Sequence, residues 1–472
     1  MTQLDTDICI IGAGSGGLSV AAGAAQMGAR VVLIEAGKMG GDCLNAGCVP
    51  SKALIAAAKA AQAMRSGAKF GVTPVEPEID FAAVKDHVAR VIAAIAPVDS
   101  QERFEGFGVN VIRDWAQFSG PDTVQAGGRT IKARRFVIAT GSRPFVPQIP
   151  GVDDVPYLTN ETIFELRERP EHLVIIGGGP IGIEMAQAHL RLGCKVTVIE
   201  GAKALGKDDP EMAAVVLGRL RDEGVRILED TPVISLSGTA GHVTVTLKDG
   251  REIMGSHILM AVGRQVALDR LNLDAAKVNH TRKGVTVDAR LRSSNRRVYA
   301  VGDAAGGMQF THVAGYQAGV LVRQLVLGLP ARTTTRHLPW VTYTDPELAQ
   351  VGMTEAQARK EHGGRLTVLR QEAIHNDRAQ TEARTEGILK VMVVGGRPVG
   401  ASLVGAQAGE LIALWAFAIS SRSKMSAVAG MVAPYPTLGE ISKRAAGAYF
   451  SPQLFDNPAL KTFVRLVQKV LP

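Results

Sequence analysis

Two cysteines with four residues between them, Cys43 and Cys48, sit in the segment GGDCLNAGCVPSK. Residues 49–62 are alanine-rich and helix-forming, with Pro50 at the tolerated first turn. Cys48 therefore stands just ahead of a helix N-terminus, where the helix dipole lowers a thiol pKa and favours the reactive thiolate. A structural disulfide in so short a loop is unexpected in a reducing compartment. A zinc site would need further ligands. Yet the other two cysteines, Cys9 and Cys194, lie singly in or beside apolar runs and read as plain buried thiols. A catalytic dithiol accounts for the pair better than either.

The elements that must position such a pair are nucleotide-binding units. In DICIIGAGSGGLSVAAGAAQMGARVVLIEAG an apolar strand (7–11) runs into Gly12, Gly14 and Gly17, a small-residue helix follows, and a second strand (30–34) ends at Glu35. The first glycine permits the tight turn, the second lets backbone approach a pyrophosphate, and the third lets helix and strand pack closely. The pyrophosphate would rest on the helix N-terminus, and the acid would accept the ribose hydroxyls. HLVIIGGGPIGIEMAQAHLRLGCKVTVIEG repeats the pattern with Gly177, Gly179, Gly182 and Glu200. A carboxylate at Glu200 favours NADH, and Lys203 nearby softens that preference and keeps NADPH as the alternative.

After each copy comes an alternating stretch that turns at Gly127-Gly128 or at Asp249-Gly250, then an apolar strand ending in Ala-Thr-Gly or Ala-Val-Gly. Both read as β-hairpins feeding a core strand. Two dinucleotide sites in one chain suit a flavin and a nicotinamide, between which hydride passes. The fold class is α/β with two Rossmann-like domains.

Composition agrees. The chain has 472 residues, 46% hydrophobic and 21% charged, which fits about three globular domains. No apolar run reaches the roughly 18 residues that span a membrane, and residues 1–6 lack a signal-peptide pattern, so a cytoplasmic location is expected. The net charge of +8 is scattered and accompanies no nucleic-acid reader motif, so nucleic-acid binding is not expected.

The ordered set of motifs resembles the pyridine nucleotide-disulfide oxidoreductases, the family of lipoamide dehydrogenase, glutathione reductase and mercuric reductase. The resemblance runs over essentially the whole length, through both glycine motifs, GGDCLNAGCVPSK, Ala139-Thr-Gly, RVYAVGDAA, TYTDPELAQVGMTEAQA and PYPTLGE. It implies an FAD-binding domain in two parts (1–150 and 271–334), an NAD(P)-binding domain (151–270) and a C-terminal α/β dimerisation domain (335–472). It implies FAD and NADH as cofactors, and a homodimer whose active sites use both subunits. Cys48 would be the thiol beside the flavin ring and Cys43 the thiol that exchanges with substrate. Lys52 would reach the flavin N5 region and pair with Glu184, stabilising charge on the reduced ring; the plainer reading of Lys52 is a solvated helix residue. Asp303 would bind the ribityl chain and Thr140 and Gly141 would lie by the FAD, with Gly41, Gly263 and Ala304 completing the cofactor-binding set.

One position departs from the pattern. Where lipoamide dehydrogenase and glutathione reductase carry an acid–base histidine in His-Pro-Thr-x-x-Glu, this chain has Tyr435, followed by Glu440. Tyrosine, with a pKa near 10, is a donor and a poor general base. The last histidine is His375, too distant in sequence to substitute. Tyr435 reads either as a substrate-orienting donor or as a packed aromatic at the dimer interface, and Glu440 as a retained structural partner. Mercuric reductase also has tyrosine there, but its C-terminal cysteine pair has no counterpart in AYFSPQLFDNPALKTFVRLVQKVLP, its N-terminal metal-capture domain is not expected here, and a second tyrosine of its mercury site matches Phe104. The expected activity is NAD(P)H-dependent reduction of a small disulfide, metal ion or other acceptor through Cys43 and Cys48. Dihydrolipoamide dehydrogenase is one alternative. A flavin redox partner or sensor, docking another protein through an amphipathic helix in residues 459–471, is the other; that helix is expected to dock on its own dimer, with a partner protein or membrane surface as the alternative.

Overall fold

The computed structural model describes residues Thr2–Leu471, which fall into two compact units. The first comprises residues 2–68, 73–202 and 225–334. Its larger sheet sets Asn110–Ile112, Val31–Ile34, Thr2–Ile11 and Arg129–Ile138 side by side in parallel, with Val298–Ala300 on the outer edge of the C-terminal half of Arg129–Ile138. The N-terminal half of Arg129–Ile138 instead takes the antiparallel hairpin strand Thr123–Ala126. Gly127 and Gly128 both adopt positive φ (57° and 69°), the two left-handed residues that a tight hairpin turn requires. The second sheet is fully parallel, in the order Arg226–Leu228, Lys195–Ile199, His172–Ile176, His257–Met260.

Such strands are buried on both faces, so they are continuous apolar runs rather than alternating ones. Ile10, Leu33, Ile138, Ile175 and Val198 are fully buried. Cys9 and Cys194 lie in the same cores, with thiol pKa values pushed up by burial. Ligands of parallel α/β sheets bind outside the carboxyl ends of the strands, and both glycine loops sit there.

The second unit comprises residues 69–72, 203–224 and 335–471. Five antiparallel strands run in the order Pro339–Thr342, Glu347–Gly352, Arg397–Gly405, Ile388–Val394, Leu366–Glu372. Helices Ala408–Ser420 and Glu440–Phe455 contribute to the apolar core around Trp415, whose indole N–H donates to Ser442 Oγ at 3.1 Å. Buried Lys390 is held by Asp209, Glu211 and Glu355 at 2.7–3.0 Å, which offsets the cost of burying its charge.

Candidate functional site

The two glycine loops are built alike. At Gly12 (φ 105°) an added Cβ would lie 2.4 Å from the Ala139 carbonyl oxygen, and at Gly177 (φ 113°) 2.4 Å from that of Ala261. At Gly17 it would lie 1.9 Å from Gly12 O, and at Gly182 2.0 Å from Gly177 O. These four glycines are required by close packing of turn, helix and strand. The middle glycines differ: an added Cβ at Gly14 would have only Gly41 Cα within reach, at 4.0 Å, and one at Gly179 would meet nothing within 4 Å. Each caps a helix, Ser15–Ala25 and Pro180–Arg191, with no side chain on the first-turn N–H groups. The acids match as well. Glu35 accepts from the N–H of Ala13 and Gly37, both at 2.6 Å, and Glu200 from Gly178 (2.7 Å) and Ala202 (2.9 Å).

These loops fit dinucleotides, since bare helix N-termini and open backbone face the place of a pyrophosphate. The first loop is completed by Thr140, whose hydroxyl is buried without a hydrogen-bond partner, and by Gly141, which faces open space. An orphaned buried hydroxyl is the mark of a ligand group that satisfies it. Gly263 occupies the position in the second loop that Gly141 holds in the first, and it too faces open space.

The dithiol lies against the first loop. Gly41, with φ 60°, would bring a Cβ to 2.7 Å from Gly14 Cα, so only glycine lets the cysteine segment touch the phosphate turn. Cys43 falls in the short helix Gly41–Asn45, and Cys48 is the first residue of Cys48–Arg65, one position deeper into the helix than its sequence suggests. The two thiols are free, and each shifts the other's pKa. Cys48 is pulled down to about 6, first by the bond from Cys43, then by Thr311 and the positive charge of Lys52. Burial and the Asp42 carboxylate oppose that shift. Cys43 is pushed up, because it is the donor to Cys48. Thr311 Oγ1 lies 3.3 Å from Cys48 Sγ, at the start of helix Thr311–Leu325.

Lys52, one turn beyond Cys48, has its Nζ 2.9 Å from Oε2 of buried Glu184. Asp303 accepts a short bond from Ser142, and burial raises its carboxyl pKa. Ala304 beside it is fully buried.

Several residues outside the sequence-based set join this centre. Arg264 donates to Ser142 Oγ (2.7 Å) and Ser142 O (2.9 Å), and its guanidinium lies 3.3 Å from Asp42. Asn160 donates to Asp42 (2.9 Å) and to Ala46 O (3.0 Å). A single arginine thus links the cysteine segment to the Ser142–Asp303 pair. Its place directly after Gly263 is the one signal that pointed to it; Ser142, Asn160 and Thr311 carry no motif.

In the second unit, Tyr435 is 69% exposed and donates to Asp377 at 3.1 Å, a bond that pushes its phenol pKa up. Glu440 accepts from Thr437 N at 3.5 Å, and Arg444 lies 3.7 Å from Asp377. Arg444 also donates to the carbonyl of His375, so His375 stands two residues from the acceptor of Tyr435. Sequence separation concealed that neighbourhood, which the turn at Asn376 creates by donating to Thr437 O at 3.1 Å. Phe104 is fully buried and stacks edge-on with Phe107.

The chain matches the profile of the pyridine nucleotide-disulphide oxidoreductases over residues 6–318, and that of their dimerisation domain over residues 338–446. It belongs to this family. The enzyme therefore uses FAD and NAD(P)H and passes electrons through a redox-active disulfide to a disulfide, metal ion or other acceptor. It is 33% identical to a mercuric reductase of Streptomyces lividans over 458 residues, spanning 94% of this chain and 96% of the relative. It is also 33% identical to a dihydrolipoyl dehydrogenase of Geobacillus stearothermophilus over 455 residues, with the same coverage of both chains. Among solved structures, the Cu(II) complex of the HOCl-induced flavoprotein disulfide reductase RclA from Escherichia coli superposes with a TM-score of 0.83 at 29% identity, covering 93% of this chain and 99% of that one. LpdA from Mycobacterium tuberculosis gives 0.86 at 26% identity, covering 95% and 100%. Among the described residues, no helix is long and apolar enough to cross a membrane.

Proposed function

We propose that the enzyme reduces a thiophilic metal ion, Cu(II) foremost, with electrons drawn from NADH and delivered by Cys43 and Cys48. The observation that carries this reading is the contrast between Cys48, held as a thiolate near neutral pH, and Tyr435, held protonated by Asp377. Reducing an organic disulfide consumes two protons with its two electrons, and so calls for a group that cycles a proton at neutral pH. A metal ion takes up electrons alone when it is reduced, and the Cu(I) formed is soft and is held by thiolate sulfur. The Cu(II) complex of RclA and the mercuric reductases among the relatives support the same choice of acceptor.

In the proposed step Cys43 gives up its proton to solvent and closes to a disulfide with the Cys48 thiolate, and the two electrons reduce two Cu(II) to two Cu(I). Bound FAD supplies the two-electron relay by which hydride from a nicotinamide nucleotide reopens that disulfide. Cys48 faces the relay and Cys43 the acceptor. Lys52, fixed by Glu184, holds positive charge beside Cys48, and Glu200 accepts the ribose hydroxyls of NADH. Two copies join through the dimerisation segment, with Tyr435 and Glu440 of one copy beside the cysteines of the other.

The test is anaerobic reduction by NADH and by NADPH, followed by turnover with Cu(II), Hg(II), lipoamide, glutathione disulfide and quinones. NADH-dependent Cu(I) formation, read with a Cu(I) chelator, should exceed reduction of either disulfide. Cys48→Ser should keep FAD and its reduction by NADH but lose Cu(I) formation; full turnover in that variant overturns the proposal. A disulfide-reducing role is favoured by one observation, the Arg444 side chain that joins the His375 carbonyl and Asp377, the acceptor of Tyr435. It predicts that His375→Ala abolishes lipoamide turnover, whereas metal-ion reduction should be indifferent to that change.

A further inference from the structure

The helix Pro458–Val470 is defined by its own signals rather than by packing. Asn457 caps it by accepting from Leu460 N at 3.2 Å, and Pro458 occupies the first turn. No side chain on the helix is buried. At about 100° per residue, Leu460, Phe463, Val464, Leu466, Val467 and Val470 share one arc of about 160°. Phe463, Leu466 and Val470 are 60%, 61% and 77% exposed. Leu454 and Phe455, just upstream, are also exposed. Lys461, Arg465 and Lys469 follow one another at intervals of four on the opposite side, and no acidic residue occurs between Asn457 and Leu471.

A helix of 13 residues is marginal in water on its own, so its apolar arc requires cover. The charge pattern identifies that cover. In a protein groove only the apolar arc would be buried, and the sign of the outward face would not matter. At a bilayer interface the helix lies among headgroups, so cations on its polar side meet lipid phosphates while the apolar arc enters the acyl boundary.

We propose that Pro458–Val470 docks the enzyme on an anionic lipid surface. At about 20 Å long, the helix lies in the interface and does not span it. The proposal is independent of the metal-ion reading, because none of these residues belongs to the redox centre.

The experiment is sedimentation of the full FAD-loaded enzyme with vesicles of phosphatidylcholine alone or of an equimolar mixture with phosphatidylglycerol. The enzyme should sediment with the mixed vesicles, remain in solution with phosphatidylcholine, and detach as salt rises. Leu466→Glu should abolish sedimentation. Replacing Lys461, Arg465 and Lys469 together by glutamine should weaken it on the order of a hundredfold, roughly fivefold per cation. Both variants should retain FAD and NADH turnover in solution, which shows that they fold. The proposal is overturned if the wild type ignores the anionic vesicles, or if the glutamine variant binds them equally well. It is also overturned if Leu466→Glu splits the dimer in sedimentation velocity while the wild type binds neither vesicle; the apolar arc then belongs to a second copy.

Discussion

Replacing Cys43 by alanine removes the thiol that donates to Cys48 and leaves every other neighbour in place. In the reduced wild type Cys48 is pulled from 9.0 down to about 6. At pH 7 that shift converts a thiol that is roughly 1% ionised into one that is roughly 90% ionised. The Cys43 bond is the largest contribution, ahead of Thr311 and Lys52. Its loss should raise the midpoint by about one to two pH units, since a hydrogen bond to the charged form is what favours ionisation. The thiolate fraction at pH 7 then falls to roughly 10–50%, and alkylation slows about two- to tenfold. The sign is fixed by the direction of the shift. The wild type should stay reactive down to pH 6, and the variant should recover only above pH 7 to 8. The assay is iodoacetamide alkylation of the reduced protein across pH, followed by mass spectrometry of the peptide carrying Cys48. Cys48 is exposed, so access does not limit the rate, and Cys9 and Cys194 are buried with raised pKa values and should stay unmodified. A midpoint in Cys43→Ala equal to or below that of the wild type refutes the assignment of Cys48 as the thiolate held by Cys43.

Gly177→Ala should abolish NADH binding while FAD stays bound, because the new Cβ meets a carbonyl oxygen in the second loop alone; flavin absorbance and NADH titration separate the two. Glu184→Gln removes the carboxylate partner of Lys52, and flavin reduction followed by stopped flow should slow by about tenfold with FAD content unchanged. Trp415→Ala deletes a fully buried indole and should cost about 3–5 kcal/mol in the second unit, visible as a lower first transition in calorimetry. Tyr435→Phe should leave Cu(II) turnover within about twofold, since the proposed step uses no proton from the phenol.

The parts of this protein that were legible in the sequence are those that backbone sterics impose. Gly12, Gly17, Gly177 and Gly182 are required by close approaches, so their spacing announced both loops. Parallel strands such as Ile8–Ile11 and Leu173–Ile176 are buried on both faces and therefore appear as unbroken apolar runs. Lys52 and Glu184, separated by 132 residues, were paired only through resemblance, because nothing local to either residue names the other. Arg264, Ser142 and Asn160 escaped for the same reason: each is an ordinary polar residue until folding sets it beside Asp42 or Asp303. The bond from Tyr435 to Asp377 had no signal along the chain, because it joins distant segments. A turn at Asn376, which donates to Thr437 O, brings Asp377 to Tyr435 from 58 positions away.

The twin acids carry one further consequence. Glu35 and Glu200 are each clasped by two amide N–H groups of their own loops, and the helix starts beside them are capped by glycines, without a side-chain cap. A recognition surface made of amides is silent to most mutation, because side-chain replacement around it leaves the donors where they were. The grip on a dinucleotide thus depends little on which side chains surround it, whereas the choice of acceptor depends on side chains such as Cys43 and Tyr435.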